Sequence, residues 1–171
     1  MTETALSHRT MPLEPVVEPA VEPAVESPDP FRGDRVATCR IALRLDDADR
    51  ASRRARATIN DFYDGRLDPR ALGDLLLLIS ELVTNAMEHG ARGVVTLDVA
   101  LAEDHVTVTV TSPGEPSMVG EPSTWQLPTA EHRSGRGLAL TARLSRAVNV
   151  FSGAGVAGDP GWIAISAELS R

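Results

Sequence analysis

The chain predicts an α+β fold, a two-layer sandwich in which helices cover one face of a mostly antiparallel sheet. Three observations predict it. Apolar residues recur with a period of two over Cys39–Leu45, Val95–Leu101 and Val106–Val110, the period of half-buried strands. A long apolar helical pattern, Pro69 to His89, stands between the first of these strands and the second. The second and third are joined only by a Glu103-Asp104 turn, too short for anything but an antiparallel hairpin with one dry face. Helices gathered on one side of such a sheet are the packing this pattern allows.

Residues 1 to 30 come first and differ from the rest. They hold six acidic groups against one arginine, half of the prolines of the chain, and a Val-Glu-Pro-Ala repeat. A segment with so little apolar surface does not offset its ordering entropy, so residues 1–34 are expected to form an acidic, partly polyproline-like disordered tail, with one folded domain over 35–171. In the first strand Cys39, Ile41, Leu43 and Leu45 alternate with Arg40, Ala42 and Arg44. A helix follows, capped by Asp46 or Asp47, with Ala51, Ala55, Ile59 and Phe62 at helical spacing and a stop at Gly65; Arg50, Arg53, Arg54 and Arg56 read as its solvated face.

The next helix has both ends marked. Asp68 is an N-cap, Pro69 suits the first helical position, and Gly90 ends it. Leu75 to Ile79 are five consecutive apolar residues, so that turn is expected to be enclosed on all sides. At about 100° per residue, Glu81, Asn85 and Glu88 fall on one narrow stripe with His89 beside it. A carboxylate, a carboxamide and a second carboxylate on a core helix are either its wetted edge or a site. His89 reads as a terminal-turn histidine closing the helix end rather than a phosphoacceptor.

After the hairpin, Ser112 to Arg136 shows no regular period and holds four prolines. Connections of this length in a compact domain are lids, binding loops or disordered segments. Within it Met118, Trp125 and Leu127 are expected to pack the loop onto its own domain, the alternative being a partner surface. The loop ends at Ser134-Gly135-Arg136-Gly137-Leu138 and runs straight into a helix with Leu138, Leu140 and Leu144 inward. Unpaired N–H groups at such a start suit an anion, although Gly-x-Gly before a helix is equally a flexible cap. Strands near Val148–Phe151 and Trp162–Leu169 close the sheet, with Trp162 a sheet residue.

Composition excludes several classes. The net charge of −7 comes from 17 basic and 24 acidic residues, with no lysine, so lysine-based chemistry is absent. The first thirty residues carry a net −5 of it, six acidic groups less one arginine, and no basic patch argues for nucleic acid. The single Cys39 sits in an alternating apolar run and reads as a core thiol. No signal peptide and no apolar run long enough for a bilayer is visible, which makes a cytoplasmic protein the expectation.

The run Glu81-Leu82-Val83-Thr84-Asn85-Ala86-Met87-Glu88-His89 resembles the N-box of the GHKL ATPases, a group that includes anti-sigma-factor serine kinases, sensor histidine kinases, Hsp90 and type II topoisomerase subunits. Gly135-Arg136-Gly137-Leu138 resembles their G2 box. The resemblance covers most of residues 35–171 and implies a Bergerat-type fold binding ATP with Mg2+. It implies Asn85 as the magnesium ligand and Glu81 as the general base, with Gly135 and Gly137 admitting the phosphates and Arg136 adding charge. A magnesium ion that keeps several waters and takes one amide oxygen suits that assignment.

Ser112-Pro113-Gly114-Glu115-Pro116 departs from the pattern, since relatives carry Asp-x-Gly-x-Gly there. Ser112 stands where the family aspartate accepts the adenine amino group, and Pro116 replaces the second glycine. Exchanging a charge-assisted hydrogen bond for a neutral one costs about 1.5–3 kcal/mol, roughly tenfold to a hundredfold in affinity. A lone domain of this size is most similar to the anti-sigma-factor serine kinases, which hold a sigma factor inactive and phosphorylate an anti-anti-sigma partner of the STAS type. Homodimerisation is common among them. Two other readings stay open: a binding module that has lost catalysis, and a nucleotide-gated switch without transfer.

Overall fold

The computed structural model describes residues 21–28, 35–44, 48–91, 93–114, 119–125, 136–155 and 161–171. Among them are six strands and three α-helices. They run β1 (Val21–Pro28), β2 (Arg35–Arg44), α1 (Ala48–Tyr63), α2 (Pro69–His89), β3 (Val94–Leu101), β4 (His105–Pro113), α3 (Arg136–Leu144), β5 (Ala147–Gly153) and β6 (Trp162–Ser170). The strands form one sheet in the order β1-β2-β3-β4-β6-β5, with every neighbouring pair antiparallel.

Alternation along the strands decides which face is covered. Cys39, Ile41 and Leu43 of β2, Val95, Leu97 and Val99 of β3, Val106, Val108 and Val110 of β4, and Ile163, Ile165, Ala167 and Leu169 of β6 are buried on one face. The three helices pack against that face, so the expected two-layer α+β sandwich is observed. The opposite face carries Arg40 paired with Asp98, Thr109 donating to Ser166 at 3.0 Å, and the exposed Phe151 and Trp162.

One boundary needs correction. Residues 21–28 were expected within a disordered tail, yet β1 pairs with β2 from Val21↔Ile41 to Pro28↔Arg35. An edge position explains how this segment tolerates proline, because an edge strand leaves every second N–H unpaired and Pro has none to offer. The pairing slips between Glu22 and Val25, so Pro23 falls at the irregularity rather than in the ladder. Residues 1–20 and 29–34, with the rest of the tail assignment, lie outside the described residues.

Helix α1 ends as expected. Gly65 takes φ +73, a left-handed conformation that suits glycine and turns the chain toward α2. Its expected caps, Asp46 and Asp47, lie outside the described residues. Tyr63 is buried and its hydroxyl donates to the Val99 carbonyl at 2.8 Å, tying α1 to the middle of the sheet. Burial pushes its pKa up. Burial, helped by the nearby Asp98 charge, also raises the Cys39 thiol, an inert core group.

Helix α2 has the bounds read from sequence. Asp68 Oδ1 accepts from the backbone N–H of Arg70 and of Ala71 at 2.9 and 3.2 Å, and Pro69 opens the helix. Leu75, Leu78, Ile79, Leu82 and Val83 are buried, but Leu77 is 41 % exposed. The five-residue apolar turn is therefore not enclosed on all sides: in a two-layer fold the outer side of α2 faces away from the sheet, and α1 and α3 cover only its flanks. The packing of α3 also differs from expectation. Ala139 and Thr141 are its most buried residues, while Leu138, Leu140 and Leu144 are half-buried. Short side chains let α3 approach α2 closely, which the contact between Gly137 and Glu81 requires.

Candidate functional site

The C-terminal half of α2, the ends of β4 and β6, and the start of α3 enclose a cleft. It is lined by Leu82, Asn85, Ala86, His89 and Gly90 from α2 and its end, Val110 and Ser112 from β4, Val119, Leu138 of α3, and Ile163 and Ile165 of β6. Its cavity volume is about 50 Å³, and its mouth opens to solvent. Its floor is sheet: Ser112 continues the inward alternation of Val106, Val108 and Val110 and pairs with Ile163. Val110 pairs with Ile165 in the same way. An apolar floor with few polar groups suits a flat ring.

Backbone polar groups around this floor are already engaged. The Ala91 N–H donates to the Pro113 carbonyl at 2.8 Å, Gly114 N–H to Gly161 O at 3.2 Å, and Gly90 N–H to Ala86 O at 2.9 Å. The first of these bonds pins the end of α2 to the end of β4. Asn85 and Ser112 make no side-chain hydrogen bond to another described residue, so both present polar groups to the cleft.

Glu81 sits one turn before Asn85 and reaches the start of α3. A β-carbon added to Gly137 would lie 2.8 Å from Glu81 Oε2 and 3.3 Å from Glu81 Cβ. The carboxylate thus lies against the first turn of α3, where backbone N–H groups have no intrahelical partner. Within α3, Thr141 Oγ1 donates to the Gly137 carbonyl at 2.9 Å.

The candidates from sequence therefore separate. Asn85, Ser112, Leu138 and the unselected His89 line the cleft, and Glu81 with Gly137 forms its α2–α3 border. Arg136 is exposed at the first position of α3. Gly114 is buried beside Ile163 Cδ1 and does not line the cleft. Glu88 is exposed and outside it, so the stripe of three polar residues contributes two. Gly135, Met118 and Leu127 lie outside the described residues. Trp125 packs against the core, with its Nε1 donating to Val119 O at 3.0 Å, so this part of the loop rests on its own domain. What sequence reasoning missed is the floor: Val110, Ile163 and Ile165 read as ordinary core, and only the register between β4 and β6 shows that they meet under a cleft.

An antiparallel sheet with helices on one face, and a cleft between the long helix and the end of the sheet, is the Bergerat-type architecture of ATPases. The chain belongs to the histidine kinase-like ATPase domain family, the GHKL group, whose profile matches residues 45–157. No curated protein matches it. Among solved structures it is similar to a chain of the crystal structure of the SiaB-SiaC complex from Pseudomonas aeruginosa, with a TM-score of 0.58 and 13 % identity, covering 75 % of this chain and 89 % of that one. At that identity the likeness is one of fold.

The family binds ATP with magnesium in general, and the donor set here can be tested against that pair. Among the described residues no group of three His, Cys, Asp or Glu side chains converges as a metal cage. One amide oxygen at Asn85 beside a helix start fits a magnesium ion brought in by phosphates and holding most of its own waters. The described residues fit a magnesium ion carried in by nucleotide phosphates, and among them no cage for a free ion is formed.

Proposed function

We propose that this chain is an ATP-binding regulatory protein of the cytoplasm, an anti-sigma-factor serine kinase that sequesters a sigma factor and phosphorylates a serine of an anti-anti-sigma partner. The observation that carries the reading is the contact of Glu81 with Gly137, which sets a carboxylate beside the anion-receiving start of α3 and one turn from Asn85. Family membership supports the nucleotide, and the similar fold in the SiaB-SiaC complex supports a protein partner.

In this reading Asn85 Oδ1 offers a hard oxygen ligand to magnesium, and the free N–H groups of the first turn of α3 receive phosphate oxygens. Arg136 adds positive charge at the same end. Bound Mg-ATP supplies the phosphoryl group and much of the charge neutralisation its transfer needs. Glu81 Oε2 takes the proton of the incoming serine hydroxyl, a role decided first by reach. Val119, from the 119–125 stretch of the loop, lines the cleft.

Titration calorimetry with Mg-ATP tests the first half. Micromolar binding that Asn85→Ala abolishes is expected; absence of heat up to millimolar nucleotide would instead establish the second reading, a binding module without catalysis, which the uncharged Ser112 favours. Transfer to a serine of the partner tests the rest. Glu81→Gln is expected to bind nucleotide normally and to lose transfer, and an unchanged transfer rate removes Glu81 as the base.

A further inference from the structure

Among the described residues, Ser112 is the one side chain on the sheet floor of the cleft that can hydrogen-bond the edge of a ring lying there. The other floor residues, Val110, Ile163 and Ile165, are aliphatic. The polar groups of the adjoining strand ends are engaged, Pro113 O by Ala91, and Gly114 N–H by Gly161. Among the described residues lining the cleft there is no carboxylate. Among the described floor residues, a base resting there therefore meets one neutral hydroxyl and no carboxylate.

The chemistry of that hydroxyl decides selectivity. A carboxylate only accepts: it bonds an exocyclic amine and repels a carbonyl oxygen. A serine hydroxyl carries one donor and two acceptor lone pairs, and it turns about Cβ–Oγ to present either. It accepts from a 6-amino group and donates to a 6-oxo group at similar cost.

Resting on the nucleotide-binding reading above, we infer that Ser112 makes this site indifferent to the substituent at purine position 6, so that it takes 6-oxopurine as well as 6-aminopurine nucleoside triphosphates.

The test is calorimetry of the full chain with ATP and with ITP in the presence of magnesium, because these two differ only at position 6 and the adjoining ring nitrogen. Affinities within about threefold of each other are expected for the parent protein, since one neutral hydrogen bond replaces another. Ser112→Asp should separate them, favouring ATP over ITP by roughly tenfold or more, as a charge-assisted acceptor bond replaces a neutral one and the oxo group meets a like charge. Ser112→Ala removes both donor and acceptor and should weaken the two nucleotides by the same factor, which keeps the test open if the aspartate variant does not fold. A preference of the parent protein for ATP beyond about tenfold overturns the inference. So does a Ser112→Asp variant that leaves the ATP-to-ITP ratio at the parent value, or a Ser112→Ala variant that weakens neither nucleotide. Failure of both nucleotides to bind the parent protein is a different result: it removes the nucleotide-binding reading itself, and this inference with it.

Discussion

At the scale of single residues, Gly137 is where absence of a side chain matters most. The position is helical, where alanine is intrinsically favoured over glycine by up to about 1 kcal/mol, so Gly137→Ala should leave the melting temperature unchanged or raised. The new methyl group, however, would stand 2.8 Å from Glu81 Oε2 and must push that carboxylate aside. The flexible end of Glu81 yields at little cost to the fold, but a negative charge displaced into the cleft opposes the phosphates proposed to bind there. Mg-ATP affinity is expected to fall by roughly tenfold, about 1.4 kcal/mol. Unchanged affinity by calorimetry would show that the spacing between Glu81 and α3 is incidental. The same residue-scale logic separates Asp104 from the site. His105 and Arg146 hydrogen-bond its carboxylate and hold its pKa down to about 2, yet all three lie on the hairpin and strand ends away from the cleft.

At the scale of elements, α2 carries the site, and its N-terminal cap bears on a cleft more than three turns away. Asp68 satisfies two of the first-turn N–H groups, and Asp68→Ala should cost about 1 kcal/mol, seen as a lower midpoint in urea with an unchanged slope. A changed slope would mean that α2 frays separately from the rest. Much of this element was legible in the sequence because its signals are local: Asp68-Pro69 opens the helix, Gly90 follows its last residue, and Glu81 and Asn85 are one turn apart whatever packs around them. The hairpin was legible for the same reason, through Val95–Leu101 and Val106–Val110. Strand β1 was not, because Pro23 and Pro28 spoil its period and its pairing depends on the free edge of β2, a property of the sheet. The exposure of Leu77 and the burial of Ala139 in preference to Leu138 were hidden too, since helical period fixes a face but not how many neighbours cover it. For the site, residue types were readable and their partition was not: Glu88 lies on the same stripe as Asn85, yet the cleft takes Asn85 and leaves Glu88 in solvent.

At the scale of the molecule, the cleft walls come from α2, β4, α3 and β6, so a ligand there touches segments that run from Leu82 to Ile165 in the chain. Core residues of those segments belong to one cluster: Leu82, Val110 and Ile165 are buried in it, and Leu138 packs against it. Binding should therefore stabilise the whole domain rather than a loop alone. Nucleotide at about 100 times its dissociation constant adds about 2.7 kcal/mol to folding stability if the unfolded chain does not bind it. For a domain of this size that corresponds to a rise of about 5–10 °C in the melting temperature. Asn85→Ala should abolish the rise while leaving the nucleotide-free melting temperature nearly unchanged, because its side chain bonds to no other described residue. A parent protein that binds nucleotide by calorimetry but melts at the same temperature with and without it would place the ligand on an element that opens before the core does. The cleft floor, made from Val110, Ile163 and Ile165, could not then be where it rests.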